Sequence, residues 1–496
     1  MQRGDRRLHE ASRLVTPHRN YYAGAWHPSL DGGTFEDRNP ADERDLIGAF
    51  PDSDAQDADA AIAAVAANWR PWAAASPEVR ANALEKAANI MGARADAIAA
   101  ELTREEGKTL AEAQAEARRI AANFRLYAGE ALRARGETYA SDAGQMVLSL
   151  RQPVGIIAVI TPWNFPLSMA ARKLAPALAA GNGVVFKPSE VTPLMGQRLV
   201  EVLLDAGIPP GVIALLHGRG PQIGKALVAD SRIGGVTFTG SFPVGSAIQA
   251  AVGTDTRCQL EMGGKNATVV LEDADLDHAA AIIVRGAFGL TGQACTGTSR
   301  VLVPAGLHDR LVERIAAAAE AITVGPGTLP GVTMGPLASR AQRDKVLSYI
   351  ELGRAEGGRL VTGGVRLDEG ELAHGHFVRP TLFADLPESS RLLREEIFGP
   401  VVAMRRFEDL DDAIRIVNDT EYGLAASIVT RDLAAVLRFA REVEAGVIKV
   451  NAPTTGNALN APFGGFRHSS NQAAKEQSGA NVMDFYTRLK TVYLTA

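Results

Sequence analysis

The sequence predicts an α/β protein with two domains, each built on a parallel sheet, plus a small β arm. Three observations carry this. The chain has 496 residues, enough for more than one domain or an unusually large one. Between residues 155 and 239, short apolar runs alternate with helical stretches at the spacing of βαβ units. Beyond Glu261 the same alternation begins again and continues to Val450.

Taken in order, residues 1–20 are Arg-rich (Arg3, Arg6, Arg7, Arg13, Arg19) but lack an apolar core, so they read as a flexible tail, with an organelle-targeting peptide as the alternative, and not as a secretory signal. Residues 21–51 are rich in Gly, Asn, Asp and Pro and suit short strands and turns. Residues 55–134 are Ala-rich with apolar positions every three or four residues, the pattern of helices. Residues 136–152 alternate through Met146, Leu148 and Leu150, as an exposed strand or hairpin would. A surface hairpin and a strand that pairs with another subunit both satisfy this pattern.

The run Gly155-Ile-Ile-Ala-Val-Ile160 is apolar throughout, as expected of a strand covered on both faces. Then follow a helix (167–180), a strand (183–187), a helix (193–206), a strand (212–216), a helix near 224–229 and a strand (235–239). Ligands in such sheets sit at the carboxyl ends of the strands. The second series runs strand 267–271, helix 278–288, a cysteine-bearing loop, strand 301–303 and helix 308–322. The segment 486–494 alternates like a strand and would pair with the 136–152 hairpin, within the chain or across a subunit boundary.

Composition narrows the function classes. Hydrophobic residues at 46% and charged residues at 22% sit near the globular average, and the net charge of −5 is small and mixed along the chain. That argues against a nucleic-acid or anionic-membrane footprint. Two cysteines cannot build a disulfide framework, and no apolar run is long enough to span a bilayer, so a cytoplasmic protein is expected. No metal site is expected, because His374-Gly-His376 has too few companions.

The stretch Thr291-Gly-Gln-Ala-Cys-Thr-Gly-Thr-Ser-Arg300 holds Cys295 among small residues. Small neighbours give a substrate access to sulfur and let backbone N–H groups point at a bound oxygen. An ordinary loop cysteine is the plainer reading of this stretch alone. Pro162-Trp-Asn-Phe-Pro166 closes the apolar strand, and the Asn164 amide there could bind a developing oxyanion or merely stabilise the turn. Phe165, Met169 and Arg172 share one helix face, so Arg172 is either a cation for a substrate carboxylate or a surface arginine. In Leu260-Glu-Met-Gly-Gly-Lys265, Glu261 precedes a double-glycine turn, a cramped setting for a general base.

Two strand-to-helix turns could cradle a pyrophosphate: Gly218-Arg-Gly-Pro-Gln-Ile-Gly224, with Gly220 and Gly224, and Phe238-Thr-Gly-Ser241. The first departs by one residue from the dinucleotide spacing, and a structural turn explains it equally. Lys187-Pro-Ser-Glu190 ends a strand where a ribose would rest, although a solvated charge pair at a helix start is the plainer reading. Glu395-Glu-Ile-Phe-Gly-Pro400 offers Glu396 to a second ribose and Phe398 to a nicotinamide.

Together with Pro462-Phe-Gly-Gly465, these motifs resemble the aldehyde dehydrogenase superfamily from about Tyr22 to Tyr493. The resemblance implies Cys295 as nucleophile, Glu261 as general base and Asn164 as oxyanion donor. It places Ile160, Thr161, Pro162, Trp163, Lys187, Ser189, Glu190, Gly220, Gly224, Phe238, Thr239, Gly240, Ser241, Glu396 and Phe398 around NAD or NADP. Glu190 favours NAD, since a carboxylate repels a 2′-phosphate, and Arg219 could soften that preference. Phe165, Met169, Arg172, Thr296 and Phe463 would face the substrate. Met262 stands where Leu is commoner, a harmless exchange.

The same resemblance implies three parts. Residues 21–135 and 153–262 would form the NAD(P)-binding domain, 263–483 the catalytic domain, and 136–152 with 484–496 an oligomerisation arm. A homodimer or homotetramer is expected. The cysteine loop and the ending Ala461-Pro-Phe-Gly-Gly-Phe-Arg-His-Ser-Ser470 resemble 2-oxoglutarate semialdehyde (2,5-dioxopentanoate) dehydrogenases. Succinate-semialdehyde and broad-specificity enzymes are alternatives. A coenzyme-A-acylating relative typically lacks the glutamate that Glu261 supplies here, and a catalytically silent relative would not need the intact trio.

Overall fold

The structure, a computed structural model, describes residues 17–133, 135–473 and 480–495. Most of the expected tail, residues 1–16, lies outside them. Two seven-stranded sheets form the body. In the first, the order is Arg257–Glu261, Ile233–Thr239, Ile156–Ile160, Gly183–Lys187, Ile213–Leu215, Asn20–Tyr22 and Ala25–His27. Its first five strands are parallel. The last two join antiparallel through Tyr21 opposite Leu215. Sequence reading left those N-terminal strands unattached, because three-residue strands carry almost no periodicity.

The apolar run behaves as its pattern requires. Ile157 and Val159 enter one core with Leu167 and Leu174, while Ile156, Ala158 and Ile160 enter a second core with Ile62 and Val65. Alternate residues thus bury against helices on opposite faces. Chain order runs outward from Ile156–Ile160 to Ile213–Leu215, then returns to place Ile233–Thr239 on its other side. That reversal opens a crevice beyond Ile160 and Thr239, where the connections leave in opposite directions.

The second sheet has the order Arg359–Thr362, Thr381–Ala384, Val401–Phe407, Thr298–Pro304, Asn266–Val270, Ala425–Val429 and Val447–Val450. Only Arg359–Thr362 is antiparallel in it. Four residues, Met262 to Lys265, join the carboxyl end of a strand in the first sheet to the amino end of Asn266–Val270 in the second. So short a link sets the carboxyl edge of the first sheet against the amino edge of the second.

Residues 55–132 hold the helices Ala55–Asn68, Arg70–Ala74, Pro77–Glu106 and Leu110–Leu132. The last two are joined at Gly107, whose φ of +97° caps the long helix and whose Cβ, if present, would lie 2.7 Å from the Pro336 ring. The 145–153 segment pairs antiparallel with Thr487–Thr495 in the same chain, and Thr138–Tyr139 pairs on its other side. This arm leaves Met146, Leu150, Leu489 and Tyr493 exposed. Among the described residues, no helix is long and apolar enough to cross a membrane.

Candidate active site

One cavity opens at the crevice between the sheets. Pro162, Trp163 and Asn164 line it from one strand end and Thr239, Gly240 and Ser241 from another. Cys295, Met262 and Phe398 close the far side.

The cysteine loop is held in a costly conformation. Leu290, Thr291 and Gly292 are consecutive left-handed residues with φ of 54°, 55° and 67°. Non-glycine residues adopt that region only where their surroundings over-determine it. Here the Leu290 N–H donates to Glu112 Oε1 at 2.7 Å, and the Thr291 hydroxyl donates to the Gly335 carbonyl at 3.1 Å. A Cβ on Gly292 would lie 2.2 Å from the Gly399 carbonyl oxygen, so no other residue fits there. Asn266 Nδ2 then donates to the carbonyls of Cys295 (2.8 Å) and Gly297 (2.9 Å), fixing the nucleophile's backbone.

Asn164 is buried beside this loop, and its Nδ2 donates to the Gln293 carbonyl at 2.8 Å, two residues before Cys295. A primary amide has two N–H groups, so that bond leaves one for a ligand. The Asn164 turn is itself fastened from below. The Lys108 ammonium, 1% exposed, donates to the Asn164 carbonyl and to Glu116 Oε2, both at 2.7 Å. The other Glu116 oxygen accepts from the N–H groups of Leu167 (3.1 Å) and Ser168 (2.9 Å), at the start of the helix Pro166–Ala179. Burial alone would lower the Lys108 pKa, but Glu106, Glu116 and Glu112 hold it above its ordinary value.

Removing one partner of such a pair strands the other charge in the interior. Lys108→Met is therefore expected to cost about 3–5 kcal/mol of unfolding free energy, read from denaturant midpoints. A loss under about 1 kcal/mol, the range of an exposed pair, would show that Glu116 finds another partner.

Glu261 ends the strand Arg257–Glu261 and is 2% exposed. It does not line the cavity, whereas its successors Met262 and Gly263 do. The two glycines after it have steric reasons. A Cβ on Gly263 would lie 2.1 Å from the Glu396 carboxylate, and one on Gly264 would lie 2.9 Å from the Cys295 carbonyl oxygen. Glu396 accepts from the Gly264 N–H at 3.0 Å, and burial pushes its pKa up.

The groups suited to a dinucleotide lie around the same crevice. Ser241 precedes the ten-residue helix Phe242–Ala251 with no side-chain cap, so the first-turn N–H groups face outward for an anion. A Cβ on Gly240 would lie 2.4 Å from the Phe238 ring, which keeps this turn close to the sheet. Lys187 is 3% exposed, paired with Glu190 at 3.2 Å, and burial lowers its pKa. It is not the solvated pair of the plainer reading, although Glu190 is half-exposed. Thr161 links this strand end to the next through its N–H to the Lys187 carbonyl at 3.2 Å. Ser189 is buried and its hydroxyl accepts from the Val191 N–H. Phe398, at φ of 61°, meets the Trp163 ring edge-on with centroids 5.4 Å apart. This donor set fits a nicotinamide dinucleotide.

Other expected residues lie apart from the cavity. Gly220 and Gly224 fall in the helix Gly220–Ala229, and a Cβ at either would meet open space, so sterics do not require glycine there. Arg219 pairs with Asp52 at 3.5 Å. Phe165 and Met169 line the cavity, while Thr296, Arg172 and Phe463 are buried outside its lining. Arg172 is only 6% exposed, which excludes the surface-arginine reading. Its guanidinium stands 5.6 Å from the Phe463 ring centroid and donates to Asn457 Oδ1 at 3.1 Å.

Sequence reasoning missed Gln342 and Lys345, which line the cavity from the helix Arg340–Ala355. Gln342 Nε2 holds the Phe398 carbonyl at 2.7 Å. No motif marks them. Lys108 and Glu116 had a faint signal: a glycine helix stop followed at once by the Thr109–Glu112 capping box.

Comparison with known proteins agrees with this geometry. Residues 26–492 match the family described as aldehyde dehydrogenase family. An alpha-ketoglutaric semialdehyde dehydrogenase of Bacillus subtilis is 40% identical, over 96% of this chain and 97% of its own. A 2,5-dioxopentanoate dehydrogenase of Saccharolobus solfataricus is 43% identical, over 93% and 96%. A betaine aldehyde dehydrogenase from Staphylococcus aureus, solved in complex with NAD+, superposes with a TM-score of 0.93 at 31% identity, covering 97% of this chain and 95% of that one.

Proposed function

The chain belongs to the aldehyde dehydrogenase family, and from that membership we propose that it oxidises 2,5-dioxopentanoate to 2-oxoglutarate at Cys295. The observation that carries the reading is the bond from Asn164 to the Gln293 carbonyl, which brings an amide donor beside the nucleophile on one cavity wall. The names of two relatives and the buried cation of Arg172 support the choice of a semialdehyde acid.

Cys295, as the thiolate, attacks the aldehyde carbon and forms a C–S bond. The carbonyl oxygen takes the charge and accepts from the remaining Asn164 N–H and the Cys295 N–H. Lys187 and Glu190 would hold a nicotinamide dinucleotide at a ribose, the Ser241 helix start at its pyrophosphate, and Glu396 and Phe398 at its ring end, and the cofactor would accept the hydride that leaves the former aldehyde carbon as the oxyanion returns to a carbonyl. Cys295 then carries a thioester. Glu261 takes a proton from water, which attacks the acyl carbon and releases the acid and the thiolate. NAD is the preferred form, because the Glu190 carboxylate would repel a 2′-phosphate.

Asn164→Ala is expected to lower kcat by roughly a hundredfold or more while the dissociation constant for NAD stays near the wild-type value. Near-wild-type turnover would remove Asn164 from the oxyanion site. The substrate assignment is tested by a panel of aldehydes, with and without a distal carboxylate, against NAD and NADP. Neutral aldehydes outperforming every semialdehyde acid would refute it.

The exposed apolar residues Met146, Leu150, Leu489 and Tyr493 support an oligomerisation arm and a homodimer or homotetramer. The domain division at residues 262 and 263, with 136–152 and 484–496 as that arm, belongs to the same reading. Sedimentation equilibrium is expected to give a species of at least twice the 52.4 kDa chain mass. A monomer at micromolar concentration would overturn the arm's role. Two free cysteines, Cys258 and Cys295, fit a reducing cytoplasmic setting.

A further inference from the structure

We propose that Arg119 and Arg172 form a two-guanidinium clamp for the distal carboxylate of the substrate, with the Asn457 amide oxygen holding the place of a carboxylate oxygen until substrate arrives. This deepens the semialdehyde-acid reading and rests on it. Arg119 projects from the helix Leu110–Leu132 and Arg172 from Pro166–Ala179, two helices that pack together. Arg119 Nη2 donates to the Asn457 carbonyl at 2.5 Å and to Asn457 Oδ1 at 2.9 Å. Arg172 Nη2 donates to the same Oδ1 at 3.1 Å. One neutral oxygen therefore serves two cations.

Among the described residues, neither guanidinium forms an ion pair with a carboxylate. Burial lowers the Arg119 pKa, and the Arg172 charge lowers it further. Two like charges drawn partly out of water and held by the neutral oxygens of one asparagine are an under-compensated arrangement. A carboxylate corrects it: it carries the opposite charge, and its two oxygens match the planar fork of each guanidinium. The Phe463 ring beside Arg172 fixes the plane of that fork.

Position links the clamp to the chemistry. Met169, three residues before Arg172 on the same helix, lines the cavity that holds Cys295. A rise of about 4.5 Å separates the two positions. An aldehyde held at Cys295 thus extends along this helix toward the pair of arginines. The class selected is an aldehyde with a carboxylate at its other end. Arg119, remote in sequence from every motif, acts as a specificity-determining residue.

The test compares 2,5-dioxopentanoate with pentanal, a neutral aldehyde of the same carbon count, in wild type, Arg119→Met, Arg119→Lys and Arg172→Met. The ratio of kcat/KM for the acid to that for pentanal is expected to fall roughly 10- to 100-fold in Arg119→Met, with partial recovery in Arg119→Lys. In parallel, calorimetry measures glutarate binding to wild type and to Arg119→Met, with weakening of the same order expected. Arg119→Gln, which keeps a donor for Asn457 but loses the charge, serves in both assays if the Met variant does not fold.

An unchanged ratio, or equal losses for both aldehydes, overturns the clamp. So does glutarate binding that is indifferent to Arg119. If wild type fails to reduce NAD with any aldehyde supplied, the proposed activity fails, and the glutarate measurement still decides the clamp by itself.

Discussion

Cys295→Ala abolishes aldehyde oxidation, with kcat falling by roughly 10^4-fold or more, because the covalent intermediate is a thioester and Cys295 is the thiol that lines the cavity. NAD affinity should remain, since the groups around the dinucleotide lie on other elements. Cys258 cannot substitute. It lies on the strand Arg257–Glu261, and burial pushes its thiol up to about 11, so it stays protonated near neutral pH. Alkylation therefore gives a second readout. Iodoacetamide near neutral pH should label wild type at one site and leave Cys295→Ala unlabelled. Residual turnover within tenfold of wild type would sink the assignment of the nucleophile.

Glu261→Gln separates the two halves of the reaction. The attack by Cys295 persists, but water is no longer activated, so the steady state slows by roughly 10^2- to 10^4-fold. Stopped-flow absorbance should show a burst of reduced cofactor approaching one equivalent per subunit, followed by the slow phase. Acid quench should trap the thioester on the cysteine peptide. Loss of the burst together with the steady state would shift the role of Glu261 to the first step. The position of Glu261 gives this test its interest: the residue is buried behind Met262 and Gly263 and does not line the cavity.

Much of the fold was legible along the chain. The run 155–160 had to be a doubly covered strand, and Ile157 and Ile156 do bury on opposite faces. The N-terminal strands at Asn20–Tyr22 and Ala25–His27 were not placed, because what attaches them is a single register contact at Leu215 and not a pattern of their own. Arg172 could be assigned to a helix face, but only packing distinguishes a buried cation from a solvated one. Gln342 and Lys345 reach the cavity from a helix with no motif, carried there by the second sheet.

By itself the sequence determined the two α/β lobes, the strand-end turns at Asn164 and Ser241, and a cysteine among small residues, since periodicity and residue size are local properties. Only the tertiary structure decided that the carboxyl edge of one sheet meets the amino edge of the other, so that Cys295 approaches Asn164 from a strand's beginning and not from its end. It also decided that Lys108 fastens the Asn164 turn and that Arg119 joins Arg172 on one oxygen of Asn457. The physical reason is the same in each case. Burial and charge pairing depend on which distant segments share a dry interior, and no periodicity in the chain encodes that neighbour.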